Sequence, residues 1–308
     1  MATGGSMRAI VAAMIANAGI AVAKFVAYMI TGSASMLAES IHSVADTSNQ
    51  GLLILGSKRA QKVADDEHQF GYGRERFFWA FVVAMVLFAL GGAYSIFEGI
   101  EKIRHPHELE SLAWAIAVLV LAVILEAFSF RTAVVESRKV KGDRTWWQFI
   151  RTSRSPELPV VLLEDTGALV GLVLALFGVS LAGITGDVVW DGIGTLAIGV
   201  LLVIIAVVLS VEMKSLLIGE SAVEAHIKAI TSATSAHPRV NRIIDLRTQH
   251  IGPEELLVAG KIEFEKALTN AQLSDAVDEV ESAIRSAVPL EMRIYLEPDL
   301  YDRNHVDS

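Results

Sequence analysis

Two segments of this chain are apolar enough to enter a membrane and yet carry ionisable residues at their centres. One runs Leu37-Ala38-Glu39-Ser40-Ile41-His42-Ser43-Val44-Ala45-Asp46, the other Val160-Val161-Leu162-Leu163-Glu164-Asp165-Thr166-Gly167. An ionised side chain at the bilayer centre costs about 2.5–3.5 kcal/mol even on lenient insertion scales, so such residues are retained mainly for function. Glu39, His42 and Asp46 stand at i, i+3 and i+7, which places all three on one stripe of a helix. An imidazole and two carboxylates on one stripe form half of a divalent-cation site. A second helix bringing Asp165, with or without Glu164, completes it.

Composition narrows the chemistry. The 308 residues are 53% hydrophobic, and the apolar residues come in long blocks, unlike those of a soluble domain. Without a single cysteine, a metal must be held by imidazole, carboxylate, carbonyl or water. The net charge of -9 argues against a nucleic-acid partner. From Gly219 onward there are 9 Lys/Arg against 16 Asp/Glu, leaving 17 against 19 in the rest of the chain. An acidic tail therefore follows a nearly neutral body, which divides the chain into a membrane domain, 1–218, and a small cytoplasmic domain, 219–308.

Six apolar blocks predict six membrane helices over Met7–Ile30, Ser35–Lys58, Phe77–Ile103, Leu109–Val135, Pro159–Ala182 and Val188–Leu217. Each approaches or exceeds the ~20 residues that cross a bilayer. Positive charge gathers between the second and third helices (Lys58, Arg59, Lys62, Arg74, Arg76). More lies between the fourth and fifth (Arg138, Lys139, Lys141, Arg144, Arg151, Arg154), whereas the first–second and fifth–sixth turns have none. The positive-inside rule then puts those loops and both termini in the cytoplasm. No cleavable signal peptide or organelle-type extension is evident, so the expected home is a bacterial inner membrane.

In the tail, Ala222–Ala236 and Ala271–Ala287 have helical spacing. Arg239–Gln249, Leu256–Glu265 and Met292–Leu296 alternate as strands, with a turn at Gly252-Pro253. The order helix–strand–strand–helix–strand suggests an open α+β sandwich of ferredoxin-like type. Its core is marginal at this size, and packing against a second copy would help it.

Six helices, H-x-x-x-D at His42 and Asp46 on the second, the charged motif Glu164-Asp165 on the fifth and an acidic tail together resemble the cation diffusion facilitators. The segment Ala38–Gln50, taken with Leu162–Thr166, looks most like the branch of that family containing the animal mitochondrial zinc transporter 9. The resemblance covers nearly the whole chain. It implies a homodimeric membrane transporter, not an enzyme, that exchanges a divalent metal, usually zinc, for protons.

Three features depart from the family pattern. Most zinc-specific relatives carry H-x-x-x-D on the fifth helix too, but Val161 stands where that His would be. The ligand set is then His42, Asp46 and Asp165 plus one of Glu39 or Glu164, which leaves room for Mn²⁺, Co²⁺ or Fe²⁺ beside Zn²⁺. The family's loop site, D-x-x-H-x-x-x-H, is matched by Asp65 and His68, but Tyr72 replaces its last His. The tail positions that bind a zinc pair in relatives fall on Ile244, Lys261, Tyr295 and Glu297, where a lysine repels a cation, so no binuclear tail site is expected.

Elsewhere the expected roles are structural. Asn17 suits an interhelical hydrogen bond, Lys24 and Glu126 buried charge partners, and Asp187 and Asp191 helix caps. His105, His107, His237, His250 and His305 are expected at the surface. Competing functions are an intramembrane metalloprotease, whose H-E-x-x-H is missing, and a membrane metal sensor or scaffold that binds without transport.

Overall fold

The computed structural model describes residues 3–31, 34–106 and 112–301. It divides into two compact units. The first holds Met1–Lys62 and Glu75–Lys214; the second holds Val63–Arg74 and Ser215–Ser308.

The first unit is helical throughout. Long helices run over Thr3–Thr31 (α1), Ala34–Ala60 (α2), Glu75–Arg104 (α3), Leu112–Lys141 (α4), Glu157–Thr185 (α6) and Val189–Ile218 (α7), with a short one, Trp146–Thr152 (α5), between α4 and α6. Among the described residues, five helices are long and apolar enough to cross a membrane: α1, α3, α4, α6 and α7. Where the second span is expected, Ser35–Lys58, there is a helix, α2, 27 residues long. It falls outside the five because Glu39, His42, Asp46, Thr47, Ser48, Asn49 and Gln50 interrupt its apolar run. The chain is a multi-pass membrane protein, with these five candidate spans among the described residues.

Helix α1 packs against α2, α4 and α6, α4 packs against α6, and α2 packs against α3. Glycine permits the closest crossing, between α3 and α7. A Cβ added at Gly199 would fall 2.6 Å from the backbone nitrogen of Ile96, and one at Gly99 would fall 2.6 Å from that of Leu196. Midway along α3 the winding widens to a π turn over Leu87–Ala93, which places the buried Gly91 and Gly92 against α7. The expected basic loop between α4 and α6 contains α5. There Thr145 caps the helix, accepting from Gln148 N at 3.2 Å, and Gln148 Oε1 accepts from Thr145 N at 2.9 Å.

In the second unit, a helix at Glu224–Ser235 (α8) precedes strands Val240–Gly252 (β1) and Glu255–Phe264 (β2). Helix Asn270–Ala287 (α9) and strand Glu291–Pro298 (β3) follow. The sheet order is β1-β2-β3; β1 and β2 pair antiparallel, and β2 and β3 pair parallel across α9. Alternation on β2 sends Leu256, Val258, Ile262 and Phe264 inward, where they meet Ala276, Val280 and Ile284 at i, i+4 and i+8 of α9. Two histidines depart from the expected surface positions. His250, two residues before the end of β1, is 2% exposed with its Nδ1 3.3 Å from the Gly252 carbonyl oxygen, and the largely buried His237 ring lies 2.7 Å from Glu279. His105 is exposed, while His107 and His305 lie outside the described residues.

Candidate metal site

Helix α6 carries two adjacent acids about 100° apart around its axis, and they engage different neighbours. Asp165 turns to α4, where its Oδ2 accepts the hydroxyl of Ser129 at 2.8 Å. Both residues are 1% exposed. Glu164 turns to α2, its Oε1 accepting from Asn49 Nδ2 at 2.9 Å and its Oε2 from Gln50 Nε2 at 3.0 Å. Gln50 Oε1 accepts in turn from Asn17 Nδ2 on α1 at 3.4 Å, the interhelical contact expected of Asn17. A chain of buried polar groups thus links α1, α2 and α6, and a second link joins α4 to α6.

Glu39, His42 and Asp46 lie within α2, and their side chains are outside the described set. Among the described residues, no three His, Asp or Glu side chains gather closely enough to hold a cation. The structure therefore brings Glu164 to α2, and Asp165 to the interior of the bundle. Sequence reasoning assigned no role to Ser129, Asn49 or Gln50. The adjacent carboxamides three and four residues past Asp46 were the available signal for the latter two; a lone serine in an apolar helix gave none for Ser129.

Further ion pairs tie the helix ends. Arg76, at the start of α3, donates Nε to the buried Glu157 at the start of α6. Lys102 on α3 lies 3.1 Å from Asp191 on α7, and Asp187 Oδ1 caps α7 by accepting from Val189 N at 3.0 Å. Lys24 and Glu126 are both buried.

In the second unit, Asp65 Oδ2 accepts the Tyr72 hydroxyl at 2.6 Å, and Oδ1 accepts from His68 N at 2.7 Å. The His68 and Tyr72 rings lie 4.4 Å apart. The Tyr72 hydroxyl, and after it the His68 backbone N–H, hold the Asp65 carboxyl below its ordinary range. Tyrosine thus occupies the carboxylate on the side where the loop pattern has histidine. On the sheet, Lys261 Nζ stands 3.5 Å from both Glu297 and Asp299. It lines a shallow hollow of about 260 Å³ with Asp245, Arg247 and Tyr295.

Residues 10–218 match the model of the cation efflux transmembrane domain. The chain belongs to the cation efflux family. It is 32% identical over 245 residues to the mouse protein named proton-coupled zinc antiporter SLC30A9, mitochondrial, covering 79% of this chain and 43% of that protein. It is 27% identical over 261 residues to metal tolerance protein C4 of Arabidopsis thaliana, covering 84% and 57% respectively. To the cation-efflux pump FieF of Klebsiella pneumoniae it is 26% identical over 288 residues, 92% of this chain and 89% of the pump. The chain thus spans less than half the length of the mouse relative. The matched residues 10–218 include the apolar helices of the first unit.

Proposed function

We propose that this cation efflux protein exports a divalent metal ion, zinc foremost, in exchange for protons, working as a homodimer with alternating access. The observation that carries the reading is Asp165. It is an acid 1% exposed on a helix otherwise apolar enough to span a membrane, and among the described residues its side-chain hydrogen bond is to the neutral hydroxyl of Ser129. A carboxylate so placed suits a cation as its counter-charge. The relative whose printed name is a proton-coupled zinc antiporter supports zinc and protons as the exchanged pair.

In this reading all six long helices span the bilayer, with the basic segments flanking α5 and preceding α3 on the cytoplasmic side. His42 and Asp46 from α2 and Asp165 from α6 supply three ligands, and Glu39, one turn before His42, supplies a fourth. An imidazole and carboxylates suit Zn²⁺ in a tetrahedron and also admit Mn²⁺, Co²⁺ or Fe²⁺. The same atoms bind protons when the metal leaves, so exposing the site alternately to the two sides couples metal and proton flow in opposite directions. The α+β tail, 219–308, then serves dimerisation.

The test is metal uptake into proteoliposomes under an imposed pH gradient, offering Zn²⁺, Mn²⁺, Co²⁺ and Fe²⁺ separately, with Asp46→Ala and Asp165→Ala as controls. Gradient-driven uptake of one metal, lost in both variants, is the expected result and names the substrate. Binding without uptake by folded, dimeric protein would replace the transporter with a metal sensor.

A further inference from the structure

Glu164 has two carboxylate oxygens and two carboxamide donors, one on each, both from α2. The whole arrangement is buried: Asn49 is 1% exposed, Gln50 0% and Glu164 6%. These two hydrogen bonds join α2 to α6. Asn49 and Gln50 follow Asp46 by three and four residues, so they lie one turn further along the same face of α2. On the other helix, Glu164 immediately precedes Asp165. The link is therefore one turn from the metal-binding stripe of α2 and one residue from the acid of α6.

We propose that Glu164 is a positioning residue, not a metal ligand: its carboxylate clasps Asn49 and Gln50, fixing the register of α2 on α6 so that the two helices present their acids to one cation. The inference rests on the His42, Asp46 and Asp165 site proposed above. Each Glu164 oxygen accepts one buried N–H, and losing either contact is costly in a membrane interior, so the carboxylate is committed first to holding α2 on α6. The Gln50 side chain is itself braced by Asn17 of α1, so the clasp is held from both sides.

The clasp makes a prediction that ligation does not. Asn49 Oδ1 is buried and accepts no hydrogen bond. If Glu164 becomes a carboxamide, Asn49 can turn its amide over and accept from the new N–H while Gln50 continues to donate. Both contacts survive without the charge, which a cation ligand cannot lose.

The experiment measures Zn²⁺ affinity calorimetrically and Zn²⁺ uptake in proteoliposomes, using the full chain. The variants are Glu164→Gln, Glu164→Ala, the pair Asn49→Ala with Gln50→Ala, and the combination of that pair with Glu164→Ala. Asp165→Asn sets the scale of a lost ligand. The expected result is that Glu164→Gln stays within about threefold of the parent affinity, while Glu164→Ala and the carboxamide pair each lose about tenfold or more. The combined variant should lose no more than the carboxamide pair alone, because Glu164 has nothing left to clasp once both carboxamides are gone. The clasp is overturned if Glu164→Gln loses as much affinity as Asp165→Asn, or if the losses in the combined variant add. Retained Zn²⁺ binding by Asp165→Asn would instead remove the metal-site reading, and the clasp with it, and is recognised separately because it leaves the Glu164 series without a scale. Should Glu164→Ala fail to fold, Glu164→Gln and the carboxamide pair still decide between the two roles.

Discussion

Ser129 on α4 donates its hydroxyl to Asp165 Oδ2 on α6 at 2.8 Å, with both side chains 1% exposed. The bond fixes the rotation of a buried carboxylate. A hydroxyl in this place steers one oxygen and leaves the other lone pairs for a cation or a proton. Groups that orient a metal ligand typically contribute about 10–100-fold in metal affinity. Ser129→Ala is therefore expected to weaken Zn²⁺ binding by about tenfold, measured by calorimetry on purified protein. Ser129→Thr, which keeps the hydroxyl, should recover most of that loss. An unchanged affinity in Ser129→Ala would mean that Asp165 is oriented by something else or does not bind metal.

The pair Arg76 and Glu157 joins the starts of α3 and α6, with side-chain exposures of 10% and 3%. Removing Arg76 strands the buried Glu157 carboxylate, and a stranded buried charge typically costs about 3–5 kcal/mol. Glu157→Ala and Arg76→Ala are each expected to lower the thermal unfolding temperature in detergent markedly. The double variant should lose clearly less than the sum, since neither charge is then stranded. Strict additivity in this cycle would show that the two groups do not stabilise one another.

The crossing of α3 on α7 is set by glycine on both sides. A methyl group on Gly199 would sit 2.6 Å from the Ile96 nitrogen, a contact with backbone that no rotamer change relieves. Helices that approach this closely gain dispersion contacts and lose them together when a side chain intervenes. Gly199→Ala is expected to destabilise the bundle by about 1–3 kcal/mol, and Gly199→Leu to abolish folded, monodisperse protein in size-exclusion chromatography. Normal elution of Gly199→Leu would show that α3 and α7 part readily.

The architecture was legible where one pattern ran for many residues, and illegible where it depended on a few. Apolar blocks located the long helices closely: Phe77–Ile103 was expected, and Glu75–Arg104 is found. The alternation of Leu256, Val258, Ile262 and Phe264 placed β2, because burying one face of a strand fixes its register. Helix α5 escaped because seven residues are too few to show periodicity; its capping residues Thr145 and Gln148 were the signal. The π turn at Leu87–Ala93 has no local signature beyond Gly91-Gly92, since it is imposed by packing on α7. His250 is expected at the surface, yet the β1–β2 turn and the Val63–Arg74 segment meet at that end of β1. A Cβ at Gly73 would lie 2.8 Å from the Ile251 carbonyl oxygen. Asp165 was legible as a charge in an apolar block. Where Glu164 points was not, because a rotation of 100° selects between neighbours that only the tertiary fold supplies.

Glu255 opens β2 within an acidic group, and burial, with the Glu291 carboxylate second, pushes its carboxyl above its ordinary value. Arg293 opposes the shift and Glu254 adds to it. A folded-state value above the unfolded one means that the native unit binds the proton more tightly. Its contribution to stability is therefore fully present below the unfolded carboxylate range and is lost as pH rises through the folded value. At neutral pH the ionised Glu255 works against the fold. Glu255→Gln is expected to raise the protection of the tail strands in hydrogen exchange at pH 7, where the parent carries the charge. Around pH 4 the two proteins should converge, because the parent carboxyl is then largely protonated. Hydrogen exchange resolves β2 from the membrane helices, so the comparison can be made on the whole protein without separating its two units. Equal protection at pH 7, or a difference that persists unchanged to pH 4, would show that charge at Glu255 is not what limits this end of the sheet.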